Sequence, residues 1–269
     1  MSETIKLPNI SQSLIKNYVD YLNQKECGLF FKANYIDKDP EAQKEPSDAM
    51  KLGIYFEYLC TGALPKNGVV PEPEYVYKGK ANERLSVSYE RVQQSAENFK
   101  KIIEHYKIEV LEVGKIIVTD GLSGVLDILA KWNGELVIID LKYSGLIDDK
   151  WNEMGWETDS LHMKDSIMIQ GVHYKLLIEK SEGIKDIPFY YFVFSSQDAN
   201  NIKIIKQEVD ESKMQSHIVA IQNIKEKLSY SIKANDFVPY PSMQKCANCP
   251  IAHKCKSKVE VPLIQEVYY

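Results

Sequence analysis

Two aspartates and a lysine carry the first chemical signal in this sequence. Asp127 closes the stretch Gly124-Val125-Leu126-Asp127, and thirteen residues later comes Asp140, within Val137-Ile138-Ile139-Asp140-Leu141-Lys142. Both stretches are apolar runs of strand type. A period of two puts Ile138, Asp140 and Lys142 on one strand face, and Val125, Asp127 and Leu129 together on the other strand. Between them, Trp132-Asn133-Gly134-Glu135 has the composition of a tight turn, so the spacing predicts a hairpin. Such a hairpin gathers two carboxylates and one ammonium in a small volume. Charges flanked by isoleucine and leucine are costly unless a metal or a partner compensates them. Paired carboxylates suit Mg²⁺ or Mn²⁺, which prefer oxygen ligands. A divalent ion acidifies a bound water and draws charge from a phosphoryl oxygen, while a lysine stabilises the developing negative charge. The plainer reading of the same residues is a solvated ion pair on a strand face.

Periodicity indicates which elements must position these groups. Ser11 is a cap for a helix with apolar positions Leu14, Ile15, Tyr18 and Leu22, ending before Cys27. Residues 37–46 form a charged loop. Ser47 caps a second helix running through Cys60 to a stop at Gly62. Its apolar face is Leu52, Tyr55, Phe56 and Leu59, with Glu57 alongside. Residues 63–80 are irregular, and Asn82 to His105 has a charged helical pattern. Three strand-like runs follow, Val110–Val118, Gly124–Trp132 and Glu135–Tyr143, then a polar connection over 144–160. A helix from about Ser160 to Glu179 carries Gln170 and Tyr174 on one face. Phe189–Ser195 and Ile202–Val209 are two more strands, and Ser212 to Lys233 a further helix. This order predicts an α/β (mixed α+β) fold with helices packed on a central mixed sheet.

The 269 residues suffice for one or two domains, with 44% hydrophobic and 26% charged residues. A net charge of −5 gives no global attraction to nucleic acid, so a polyanion would need local patches or metal ions. No apolar run approaches the ~18 residues of a membrane span, and Met1 to Lys6 lacks a signal-peptide pattern. The expected location is cytoplasmic, where structural disulfides are rare. The five cysteines are therefore read as metal ligands or buried thiols. Cys246, Cys249 and Cys255 have the spacing C-x₂-C-x₅-C, dense enough for zinc or an iron–sulfur cluster. These supply three ligands; the fourth is His253 or a distant cysteine.

These residues carry a resemblance. Asp127 followed by Asp140-Leu141-Lys142 resembles the D…(D/E)-x-K signature of the PD-(D/E)XK nuclease superfamily. Gln170-Gly171-Val172-His173-Tyr174 is similar to the Q-x-x-x-Y motif of its RecB-like branch. Ser11-Gln12-Ser13-Leu14, Tyr18 and Cys27-Gly28-Leu29-Phe30 are similar to the opening of its iron–sulfur members, which include AddB-type subunits and CRISPR-adaptation exonucleases. The resemblance implies a restriction-endonuclease-like core in one composite nuclease domain over 1–269. Its core would span about 47–210, with 11–31 and 211–269 forming a cysteine subdomain. It implies a metal held by Asp127, Asp140, the Leu141 carbonyl and Glu57, with Lys142, Gln170 and Tyr174 in catalytic roles. It also implies a [4Fe-4S] cluster on Cys27, Cys246, Cys249 and Cys255, leaving Cys60 as a small core residue. Two positions depart from the pattern: Glu57 stands where the branch carries histidine, and Gly28 where proline is usual.

The activity implied is a metal-dependent DNA nuclease, an exonuclease on single strands or ends, working in repair or recombination. DNA is the expected partner, together with a helicase or recombination protein, and no membrane. The rival is a non-catalytic DNA-binding scaffold that keeps the fold and cluster. Trp151 and Trp156 either stack bases or plug the core edge, and plugging is the favoured reading. Lys80, Arg84, Arg91, Lys100 and Lys101 alternate with Glu83, Glu90 and Glu97, as on a solvated helix face. The five histidines receive no catalytic role.

Overall fold

The computed structural model describes residues 7–65, 68–71 and 86–261. The helices are α1 (Gln12–Leu22), α2 (Gly28–Phe31), α3 (Asp48–Thr61), α4 (Val87–His105), α5 (Asp165–Glu182), α6 (Glu211–Ala234) and α7 (Met243–Ala247). The strands are β1 (Glu109–Thr119), β2 (Leu122–Trp132), β3 (Glu135–Ser144), β4 (Phe189–Ser195) and β5 (Ile202–Gln207). The chain divides into two compact units, Pro46–Met214, and Met1–Glu45 with Gln215–Tyr269.

The unit Pro46–Met214 is built on one five-stranded sheet in the order β1-β2-β3-β4-β5. β1, β2 and β3 form an antiparallel meander, β4 runs parallel to β3, and β5 returns antiparallel to β4. Both meander turns take positive φ at their two central residues: Asp120 and Gly121, then Asn133 and Gly134. Asx-Gly pairs tolerate that geometry, whose twist matches the flanking strands. The parallel step from β3 to β4 needs a crossover, which α5 supplies.

On one face of the sheet, Tyr55 and Phe56 of α3 and Val92, Ala96 and Phe99 of α4 pack on Ile128, Ile139, Leu141, Phe192 and Phe194. On the other lies α5, where Tyr174 meets Phe189 at 6.2 Å and the Tyr191 hydroxyl donates to Ile167 O at 2.8 Å. Covered on both faces, β4 is buried along nearly its whole length, as its sequence FYYFVFS anticipates. Ser47 and Ser86 cap α3 and α4 through their hydroxyls, and Gly62 ends α3 in the left-handed conformation. The helix expected from Asn82 begins at Val87 among the described residues; Lys80, Glu83 and Arg84 lie outside them. The helix expected from Ser160 begins at Asp165, because Thr158–Met163 forms a 3₁₀ turn.

In the other unit, the buried face of α1 is Leu14, Ile15, Tyr18 and Tyr21. Leu22, expected on that face, is 47% exposed, because Tyr21 holds the last turn by stacking on Phe31 at 5.7 Å. A smaller core of Phe30, Ala33, Ala42 and Ile251 packs against Cys27 and Cys249.

Candidate active site

Asp127 and Asp140 stand where the β2–β3 ladder stops. The last paired residues are Ile128 and Ile139, and the two aspartates would be the next facing pair. Asp127 instead turns its carboxylate onto the neighbouring strand: Oδ2 accepts the Leu141 N–H at 2.8 Å. Asp140 is fully buried. Its Oδ1 accepts from Gln170 Nε2 at 2.5 Å, and its Oδ2 forms an ion pair with Lys142 Nζ. Gln170 Nε2 also lies 3.3 Å from the Tyr174 hydroxyl, so one amide joins α5 to the strand carboxylate. The spacing of four residues puts both α5 side chains over the hairpin.

Burial pushes the Asp127 carboxyl well above the usual carboxylate range, and the Asp140 and Glu57 carboxylates add to it, against the pull of Lys142. Burial raises Asp140 too, again opposed by Lys142. Glu57 of α3 belongs to the same field: burial raises it, Lys142 lowers it and Asp140 raises it. Burial pulls Lys142 down, but Asp140, Asp127 and Glu57 more than reverse this and hold its ammonium. Burial and the two aspartates also raise the Tyr174 hydroxyl. Three carboxylates thus face one ammonium in poorly solvated surroundings.

Among the described residues, no three His, Cys, Asp or Glu side chains form a ready-made cation site. At the hairpin, Leu141 N–H, Gln170 and Lys142 occupy Asp127 Oδ2 and the two Asp140 oxygens. What the donor set offers is chemically apt, because hard oxygens in excess over one ammonium are what Mg²⁺ or Mn²⁺ would compensate.

The unit Met1–Glu45 with Gln215–Tyr269 holds the cysteines. Cys27, Cys246, Cys249 and Cys255 line one cavity of about 350 Å³. Burial raises the Cys249 thiol, and the other three sulfurs add to it, so the four sense one another. The Val259 N–H donates to Cys246 Sγ at 3.4 Å. His253 lies apart from that lining: Nδ1 is 3.2 Å from Pro250 O and Nε2 is 3.3 Å from Glu41. Lys254 beside it bridges Asp39 and Glu41, both at 2.6 Å. Gly28 has a structural cause here. Its N–H donates to Val238 O, and a Cβ would meet that oxygen at 2.3 Å, so proline fits neither the bond nor the space. Cys60, in the Pro46–Met214 unit, packs against the main core, and burial raises its thiol.

The two tryptophans of the β3–α5 connection behave differently from each other. Trp156 is 4% exposed and sits 5.0 Å from Tyr191, whereas Trp151 is 88% exposed. Sequence reading missed the groups that separate them, Lys164 and Lys203, which bind carbonyls of this segment. No local pattern marks either lysine, because their partners, backbone oxygens for Lys164 and both backbone and carboxylate oxygens for Lys203, lie outside any helical or strand period. The α4 lysines behave as a solvated face, with Lys100 paired to Glu97 at 2.7 Å.

No curated protein matches the chain. A crystal structure from Eubacterium rectale, described as a "putative exonuclease", superposes with a TM-score of 0.63 at 18% identity, covering 96% of this chain and 90% of that one. That of SSO0001 aligns over 96% of this chain and 91% of that one at 11% identity, with a TM-score of 0.39, too distant to bear on the fold. The family model of the PD-(D/E)XK nuclease superfamily matches residues 38–256, a span that takes in the splayed hairpin, both α5 site residues and Glu57. With its carboxylates and lysine on that sheet, the chain belongs to the PD-(D/E)XK nuclease superfamily.

Proposed function

We propose that this nuclease is a divalent-metal-dependent deoxyribonuclease of the RecB-like branch, acting as an exonuclease on single-stranded DNA or DNA ends. The observation that carries the reading is the fully buried Asp140, held between Gln170 and Lys142, with Asp127 bound to the Leu141 N–H from the facing strand where the β2–β3 ladder ends. Asp127, Asp140, the Leu141 carbonyl and Glu57 would hold Mg²⁺ or Mn²⁺. The ion would supply a Lewis acid for the phosphoryl oxygen and an acidified water. Lys142 keeps its proton in this field and stabilises negative charge developing on the phosphate. Gln170 orients Asp140 through its amide, and such supporting partners commonly matter 10–100-fold in metal affinity or activity. Tyr174, held protonated by its surroundings, offers a hydroxyl beside the scissile group.

The cysteine cavity is proposed to hold a [4Fe-4S] cluster. Four cysteines on one cavity supply the Cys₄ ligand count that a [4Fe-4S] cluster uses. His253, turned toward Glu41 and Pro250, does not serve the zinc alternative. No described helix is long and apolar enough to cross a membrane. A cytoplasmic role in DNA repair or recombination, with a helicase or recombination partner to open duplexes, accords with the reading.

One digest tests it. The purified protein with Mn²⁺ or Mg²⁺ is expected to degrade end-labelled single-stranded DNA, and Asp127→Ala and Lys142→Ala to stop it. Blunt and gapped duplexes in the same assay report strand and end preference. A wild-type protein that cuts no DNA form under any divalent metal defeats the enzyme reading in favour of a scaffold. Iron and acid-labile sulfide in equal amounts in a brown, anaerobically purified sample are expected for the cluster; stoichiometric zinc in a colourless one would overturn it.

A further inference from the structure

The connection between β3 and α5 is firmly held, yet it presents a bare indole. Lys164 is buried and donates to Asp149 O at 3.1 Å and Gly155 O at 2.8 Å. Lys203 of β5 reaches the same segment, donating to Ile147 O at 2.9 Å and pairing with Asp148 at 3.0 Å and Glu157 at 3.1 Å. Asp149 Oδ1 accepts the N–H groups of Trp151 and Asn152, both at 2.8 Å, which sets the turn carrying the indole. Trp156 fastens the far side into the core. Trp151 itself is 88% exposed, with Lys150 Nζ 5.5 Å from its ring centroid. Met154 and Met163 are exposed on the same segment, and a cavity of about 390 Å³ opens there between Lys150, Trp151, Glu153, Met163 and Asp165. That volume is within the range of small-ligand sites, about 300–1,000 Å³.

An indole left in water forgoes the burial free energy a large aromatic normally gains. Here the backbone beneath it is ordered by two lysines and an aspartate, so its exposure is a fixed feature of the fold. We propose that Trp151, with Lys150 over its ring, is a stacking platform for an unpaired base of a single-stranded DNA substrate. This deepens the nuclease reading and rests on it.

Three observations favour a base over other occupants. The segment joins the strand bearing Asp140 and Lys142 directly to the helix bearing Gln170 and Tyr174, so both of its ends lead into that site. Two acids, Glu153 and Asp165, balance Lys150 and Lys164 in the lining, and Lys164 is engaged by backbone carbonyls, so no cationic excess is left for phosphate and the indole face is the group that can hold a base. An indole face accepts any base. Bases within a duplex are stacked on one another and do not offer that face.

The test uses the full chain in EDTA with a short fluorescent single-stranded oligodeoxynucleotide. Trp151→Ala is expected to weaken binding about 5- to 150-fold, the range for loss of one base–aromatic stack, while Trp151→Phe retains most of it. Both variants should unfold close to the wild-type temperature, because the side chain is almost wholly in solvent and its ring contact is with the Lys150 side chain. Oligonucleotide binding should quench tryptophan fluorescence in the wild type and not in Trp151→Ala. Blunt duplex binding should be the same in all three proteins. Equal single-strand binding by wild type and Trp151→Ala, as a surface made for a protein partner would give, overturns the inference and leaves the nuclease reading standing. Quenching that depends on Trp151 without cleavage under any divalent metal defeats the enzyme reading alone. No single-strand binding by the wild type overturns the inference, and cleavage of duplex ends in the metal digest then leaves the nuclease reading standing.

Discussion

The carboxylate site and the cysteine cavity are built on opposite plans. The first is local: Asp127, Asp140 and Lys142 sit within sixteen residues on a hairpin, and α5 and α3 add to a sheet already formed by neighbouring strands. It crowds like charges into a buried place, so the fold tolerates it at a cost. The second is distant in sequence. Cys27 and Cys246 close a loop of about 219 residues, and their supports are the short helices α2 and α7 and a core of four buried residues. There a bound group would help to make the unit rather than burden it. One site is held in place by the fold despite its chemistry, and the other is proposed to hold its part of the fold by its chemistry.

The largest effect should therefore come from breaking the cysteine set. Treated as a cross-link over so long a loop, the proposed cluster would be worth on the order of 5 kcal/mol. Cys27→Ser is expected to lose iron and to make Met1–Glu45 and Gln215–Tyr269 protease-sensitive, while Pro46–Met214 remains as a resistant fragment. Thermal unfolding with limited proteolysis reads this directly. Unchanged iron content and unchanged resistance would break the contrast between the two sites.

Asp127→Asn should do the reverse. Loss of one charged group at the reacting centre is expected to reduce cleavage by about 10²–10³-fold or more. Stability should rise, because asparagine can still accept the Leu141 N–H and carries no charge into the crowd. The pH dependence has a definite sign. Burial raises the Asp127 carboxyl above its unfolded value, so the native state binds its proton more tightly than the unfolded chain does. In EDTA the wild type thus loses stability as pH climbs from about 4 through the raised folded value, and below about 4 the penalty is absent. The Tm advantage of Asp127→Asn should accordingly appear above about pH 4 and grow toward neutrality. An advantage largest at acid pH would show that the carboxylate is stabilised by its surroundings.

What could be read from the sequence follows the same division. The hairpin was legible because strand period and an Asn-Gly turn are local signals, and Gln170 and Tyr174 because four residues make a helical turn. Glu57 could be placed on α3, but that it senses Lys142 and Asp140 depends on how α3 lies on the sheet. Leu22 and Tyr21 exchanged roles because the partner of Tyr21, Phe31, lies beyond the helix itself. Trp151 and Trp156 looked alike, and what separates them is Tyr191 beneath Trp156 together with Lys164 and Lys203, reaching from α5's start and from β5. Local periodicity holds no record of such long-range hydrogen bonds to backbone.

The smallest effects come from two glycines, and they separate crowding at the site from the quality of its scaffold. A Cβ at Gly124 would meet Leu177 Cδ1 at 2.5 Å and Tyr174 Cε1 at 3.0 Å. Leu177 is fully buried and Tyr174 is tied to Asp140 through Gln170, so neither can yield freely. Gly124→Ala is expected to cost about 1–3 kcal/mol by overpacking, and to lower cleavage because the displaced ring pulls on Gln170. Gly53 lies within α3 with nothing within 4 Å of its missing Cβ. Gly53→Ala should stabilise the chain by about 0.5–1 kcal/mol through helix propensity, with cleavage unchanged. Chemical denaturation and single-turnover cleavage of both variants provide the comparison. If Gly124→Ala loses stability but cleaves normally, the link from Tyr174 through Gln170 to Asp140 is packing alone. If both readouts fall together, that link positions the carboxylate for chemistry.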